Sequence, residues 1–203
     1  TISIEPVTEE TDGGNVVVPA APLRKLDVIN DLTISNNTTF DPQNQAVTIG
    51  GDFTLNGIYT PGNNTTTFNA YGIQAFTNTG TISDGGLYNM VLENSSILTV
   101  SDNLSVRNNL TINAETTLRD GGNTINVVGD ITNSGEHQSG TGGSLVLTGT
   151  AAQNLSGNGL GIFDNLSLNK SSGSTSMNAD MQVMGNLRLG GTAAVLDIGN
   201  NKL

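Results

Sequence analysis

Cysteine and tryptophan are absent, and histidine occurs once. Without cysteine the chain has neither a disulfide framework nor a thiolate metal site, which is compatible with a bacterial extracellular protein that relies on stacking rather than staples. Aromatic residues make up only 4% and charged residues 12% of the 203 positions, so few bulky groups are available and any core must be narrow. Bases are scarcer still: 7 Lys and Arg against 18 Asp and Glu leave a net charge of −11, which argues against nucleic acid as a partner because nothing could neutralise a run of phosphates. No stretch approaches the ~20 consecutive apolar residues of a spanning helix, so no membrane insertion is expected. Helix formers are thin over every window, and almost no helix is expected. The chain starts at Thr1 with neither Met nor a signal peptide and stops at Leu203 inside a recognisable repeat. Both ends read as cuts, and a longer parent polypeptide with further repeats is expected.

What remains is glycine, 26 of them, with abundant Asn, Thr and Ser. Gly and Asn accept positive φ, and Thr suits strands, so this is the composition of short strands punctuated by tight turns. The organising stretch is Leu104-Ser105-Val106-Arg107-Asn108-Asn109-Leu110-Thr111-Ile112. It alternates apolar and polar, breaks at Asn, and alternates again, as two half-buried strands meeting at a corner would. The same figure starts at Leu26 and at Met181, shifts of 78 and 77 residues. Related corners start at Val47 and Ile125, each 21 residues after its predecessor. A period of about twenty is one turn of a solenoid, and the long unit is expected to hold about four coils.

Residues 1–25 lack this pattern. Glu5, Glu9, Glu10 and Asp12 face no base, and Pro6, Pro19 and Pro22 bracket a Gly-Gly pair. They read as an acidic leader, linker or cap shielding a terminal edge. Residues 26–203 read as one continuous solenoid domain, truncated at its C-terminal end. The expected fold is all-β: a right-handed parallel β-helix of roughly nine coils with ~20-residue coils and a ~77-residue higher-order repeat.

If coils stack, equivalent residues form columns. One expected column is Asp31, Asp52, Asn89, Asn109, Asp130, Asn165 and Asn186; the next is Leu32, Phe53, Met90, Leu110, Ile131, Leu166 and Leu187. Asp and Asn interchange in the first, which suits a turn ladder and not a calcium site, where carboxylates must stay carboxylates. Thr33, Thr54, Thr111, Thr132 and Ser167 are expected to face outward, in a row that Val91 and Arg188 interrupt, which weighs against a flat ice-binding array.

Catalysis has little to stand on. His137 lies in a Gly/Ser-rich run and reads as a solvated loop residue, with no Ser/His/Asp set around it. The one adjacent carboxylate pair is Glu9-Glu10, and Arg24, Lys25, Arg107, Arg119, Lys170 and Arg188 are scattered. The triplets Asn103-Leu104-Ser105, Asn109-Leu110-Thr111 and Asn165-Leu166-Ser167 match the glycosylation pattern only as by-products of the corner, and Gly121-Gly122 is a turn without the following helix that phosphate binding needs. No catalytic, cofactor or metal residue is assigned, no cofactor is expected, and the ligand-binding residues are unknown.

The run Gly143-Ser144-Leu145-Val146-Leu147 through Ala152-Gln153-Asn154-Leu155-Ser156-Gly157 to Phe163-Asp164-Asn165-Leu166-Ser167-Leu168-Asn169-Lys170 resembles the repeats of very large secreted surface proteins of Bacteroidota. Gly51-Asp52-Phe53-Thr54-Leu55-Asn56-Gly57 is similar to coils of filamentous-haemagglutinin-type adhesins. The resemblance covers residues 26–203 in rhythm and composition and carries over no site residue. It implies export, by type IX secretion in the first case, and cell adhesion or gliding motility. The expected protein is therefore not an enzyme. It is a structural, adhesin-like segment at the bacterial cell surface, whose exposed faces bind a surface, a glycan or a neighbouring protein chain. The alternative is a carbohydrate-active β-helix enzyme, a polysaccharide lyase or hydrolase, which a cleft with three or more clustered carboxylates would favour. Tandem β-sandwiches of ~77 residues would leave the 21-residue spacing unexplained.

Overall fold

A computed structural model describes residues 2–4, 16–17, 25–158 and 161–203. It is a three-sided β-solenoid in which every strand pairing is parallel. Faces 1, 2 and 3 are named in the order the chain visits them. Face 1 is a nine-stranded sheet from Ile2–Ile4 to Gln182–Val183, and face 3 a nine-stranded sheet from Lys25–Val28 to Leu196–Asp197. Nine strands mark eight complete turns, one fewer than the sequence suggests, because the coils average about 21 residues. With rungs ~4.8 Å apart the strands span ~38 Å along the axis. Parallel pairing throughout excludes tandem sandwiches. The helical content of the described residues is one short turn, Ser83–Gly85, and none of their helices is long and apolar enough to cross a membrane.

The 21-residue spacing is the register itself. Leu32 pairs with Phe53, Leu26 with Val47, and Leu104 with Ile125. Each strand is short and alternates buried with half-buried residues, as at Leu110–Ile112 and Leu104–Val106. Inward side chains stack on the rungs above and below and form one continuous core along the axis.

The long repeat behaves differently from expectation. Leu26 opens a corner from face 3 to face 1, Leu104 one from face 2 to face 3, and the Met181 copy one from face 1 to face 2. The shift of 78 or 77 is thus three and two-thirds turns, not four, so each copy steps back by one corner. The expected single columns divide accordingly. Leu32–Phe53–Phe76 stack on face 1, Met90–Leu110–Ile131–Leu155 on face 3, and Leu145–Leu166–Leu187 on face 2. The outward Thr row divides too. Thr33, Thr54 and Thr77 align on face 1; Thr48, Thr67, Val91, Thr111, Thr132 and Ser156 align on face 3; Ser167 and Arg188 lie on face 2. Arg188 therefore does not interrupt the Thr row that Val91 does. The reason is steric: a half-buried Leu-x-Ile strand with an Asx turn fits any side of the solenoid. The turn after the corner confirms the equivalence. Thr38 Oγ1 donates to Ser35 O and Thr116 Oγ1 to Asn113 O, both at 2.7 Å, with positive φ at Asn37 (63°) and Glu115 (65°), although the two turns occupy different corners.

Face 2 alone is broken. Its lower sheet ends at Thr81–Ile82, its upper sheet starts at Leu104–Val106, and Leu87 makes the single bridge to Val106. Between them Asp84, Gly85 and Gly86 have φ of 57°, 81° and 156° and jog the chain sideways. Arg107 ties this jog down. Its side chain donates to Gly86 O (3.1 Å) and Gly62 O (2.6 Å), lies 3.7 Å from the Asp84 carboxylate, and covers the Tyr88 ring. Two pieces of the leader add to the lowest rung, where Ile2–Ile4 pairs with Leu32–Ile34 and Val16–Val17 with Phe40–Asp41. The rest of the leader, including Glu9-Glu10, lies outside the described residues.

Candidate binding surfaces

The corner Asx residues line three ladders, one per corner, where a single column was expected. In each, a side-chain oxygen accepts the backbone N–H of its counterpart one rung up: Asp31 from Asp52 (2.9 Å), Asn109 from Asp130 (2.9 Å) and Asn165 from Asn186 (2.9 Å). The ladders continue from Asp52 to Ala75 (2.8 Å) and from Asp130 to Asn154 (2.7 Å). The bond needs one short acceptor, so carboxylate and amide serve equally. These oxygens are engaged in holding the stack.

His137 is corrected from solvated loop to core. It sits in the face 1 strand Glu136–Gln138, is 0% exposed, and stacks between Leu118 and the Phe163 ring. Its Nε2 lies 3.2 Å from Oδ2 of the equally buried Asp120. Asp120 Oδ1 accepts from Gly122 N (2.8 Å) and Gly140 N (2.7 Å). Burial alone would raise the Asp120 pKa, but His137, Ser139 and these two N–H groups outweigh it and hold the carboxyl below its ordinary value. Enclosed by core side chains, the pair has the makeup of a structural dyad.

Lys170, one of the bases scattered through the repeats, is also buried, at 0% exposure. Its ammonium donates to Gly149 O (2.8 Å), Ala151 O (3.0 Å) and Gln153 Oε1, and burial lowers its pKa. Gln153 in turn plugs the corner below through Val128 O (2.9 Å) and Gly129 O (2.7 Å). Gln74, its counterpart 79 residues earlier, does the same to Ile49 O (2.9 Å) and Gly51 O.

Among the surface depressions of the described residues, two bear on binding. One, of about 350 Å³ on face 2, is lined by Asn126, Ser144, Ser167, Asn169 and Arg188. The other, of about 450 Å³, lies at the corner from face 3 to face 1 and is lined by Asp27, Ile29, Thr48, Asn69, Tyr71 and Asn94. Here Tyr71 (87% exposed) and Ile29 (84%) project into solvent, whereas Thr48 is only 3% exposed. Among the described residues, Thr48 Oγ1 and Asn69 Oδ1 are buried without a hydrogen-bond partner. The corner figures contain Ile29 and Thr48, but nothing in their alternation tells that Asn69 and Tyr71 line one depression with them. Among the described residues, no three His, Asp or Glu side chains gather as a metal site. No family model matches the chain, and no curated protein or solved structure matches it either.

Proposed function

We propose that the chain is a structural and adhesive segment of a large secreted protein of the bacterial cell surface. It is a stiff shaft that holds a surface, a glycan or a neighbouring chain through its exposed sides. The observation that carries this reading is the row Thr111, Thr132 and Ser156 on consecutive rungs of face 3, with Thr67 beyond the interruption at Val91. Short hydroxyl side chains at ~4.8 Å spacing on a hydrogen-bonded backbone present donors and acceptors with little entropy to lose on binding. The rhythm shared with Bacteroidota surface repeats supports export by type IX secretion and a part in adhesion or gliding.

Beads carrying the purified chain, set on bacterial cells and on polysaccharide-coated glass under flow, should be retained more strongly than beads carrying an unrelated acidic solenoid. Equal detachment on every surface would refute adhesion. Release of reducing ends or unsaturated sugars from the polysaccharides would establish the enzyme instead.

A further inference from the structure

We infer that the groove between Tyr71 and Thr48 is a binding site for a neutral sugar of a glycan chain. Its volume of about 450 Å³ lies within the range of small-molecule clefts. Tyr71 and Ile29, exposed at 87% and 84%, offer an aromatic and an aliphatic wall to the C–H face of a pyranose ring. Two such side chains left in water next to a cavity carry a hydration cost that a stacked sugar ring removes.

The polar half of the groove specifies the ligand further. Thr48 Oγ1 and Asn69 Oδ1 are buried and unpartnered, which is costly unless something supplies the missing bond. Together with the Asp27 carboxylate they make the lining rich in acceptors, and sugar hydroxyls are donors that also accept. A charged sugar fits poorly. Asp27 lines the cavity, its neighbour Lys25 is held by that same carboxylate at 3.0 Å, and the chain carries −11 overall. An anionic sugar would meet repulsion without a free cation in the lining to offset it.

The inference rests on the reading that the shaft holds glycans, and the experiment separates the two. Cellohexaose, maltohexaose, mannohexaose and chitohexaose serve as neutral probes and an oligogalacturonate of equal length as the anionic one, followed by calorimetry and by tyrosine fluorescence, which is free of tryptophan overlap. At least one neutral probe should saturate, and the galacturonate should not. Tyr71→Ala should weaken binding about tenfold, while Tyr71→Phe, which keeps the ring, stays within about twofold. Thr48→Val removes the hydroxyl at constant shape, so it should weaken binding and at the same time raise the melting temperature by about 2–4 °C. That opposite movement separates a ligand-directed hydroxyl from a structural one.

Saturation that none of these substitutions alters, or a Thr48→Val protein that melts lower, overturns the site. Flow retention on a glycan that survives Tyr71→Ala also overturns the site and leaves adhesion standing. Soluble binding lost with Tyr71→Ala, without retention on any surface, keeps the site and overturns adhesion. Absence of binding to all four neutral probes overturns the site.

Discussion

Below the jog at Ser83–Gly86 the core is aromatic; above it the core is aliphatic with buried ionisable groups. In the lower part Phe53 and Phe76 stack at 4.8 Å, Phe40 and Tyr59 stack at 5.6 Å, Phe53 meets Tyr59 edge-on at 5.7 Å, and Phe68 leans on Phe76 at 5.9 Å. In the upper part Phe163 is the one buried phenylalanine, and Asp120, His137, Asn133, Gln153 and Lys170 occupy inward positions. The same strand figure builds both parts. A narrow parallel core of fixed rung spacing can therefore be completed mainly by rings, or by long polar groups that need partners in a neighbouring rung. The first choice is sensitive to truncation and, through Tyr59, to alkali; the second is sensitive to truncation and to acid.

The largest effect should come from the rings. Phe53→Ala removes two ring contacts from a fully buried site and should cost about 3–5 kcal/mol in urea unfolding. A loss below about 1 kcal/mol would mean the aromatic stack does not hold the lower part together. In the upper part Lys170→Ala leaves the carbonyls of Gly149 and Ala151 and the Gln153 amide without their donor, at about 2–4 kcal/mol. Hydrogen exchange should place that loss above the jog, at 144–177, with 32–78 little changed.

Titration sharpens the contrast at smaller amplitude. Asp120 is held below its ordinary pKa, so the unfolded state takes up its proton first as pH falls. The stability it provides is present above the carboxylate range and lost below it. Wild-type unfolding midpoints should drop on acidification through that range, and Asp120→Asn, weaker at neutral pH, should drop less. In the lower part burial pushes the Tyr59 phenol up to about 12. The unfolded state then ionises first, and stability should fall as pH rises from about 10 towards 12; Tyr59→Phe, read by the same midpoints, should flatten that limb. Loosening should start above the jog in acid and below it in alkali. The smallest effect, about 1 kcal/mol each, is expected for Asp31→Ala, Asn109→Ala and Asn165→Ala, which remove one ladder bond at each corner. Near-equal losses would show that the three corners are energetically equivalent, and a spread above about 1.5 kcal/mol would show that they are not.

Much of the fold is legible in the residues because register and period are the same quantity: Val47 lies 21 after Leu26, and it lies directly above it. The corners Leu26–Ile34 and Leu104–Ile112 and the turn-forming role of their Asx residues follow from alternation alone. Which side of the solenoid a corner occupies does not, because all three sides accept the same figure, and hence the expected columns merged three ladders into one. The burial of His137 is hidden in the sequence for a related reason. Its Gly and Ser neighbours belong to the turns, and the partner that lets it enter the core, Asp120, is not adjacent in the alternation pattern. The Tyr71 groove is not legible because its lining comes from successive rungs, Asp27, Thr48 and Asn69, that alternation alone does not bring together.

A repeat of three and two-thirds turns has a consequence for any longer array of such units. Three units complete about eleven turns, or ~53 Å at ~4.8 Å per turn. Only then does a given feature return to its starting azimuth, having visited the other two on the way. A filament assembled from them would carry each corner feature in a slow spiral and turn it to all three sides in succession.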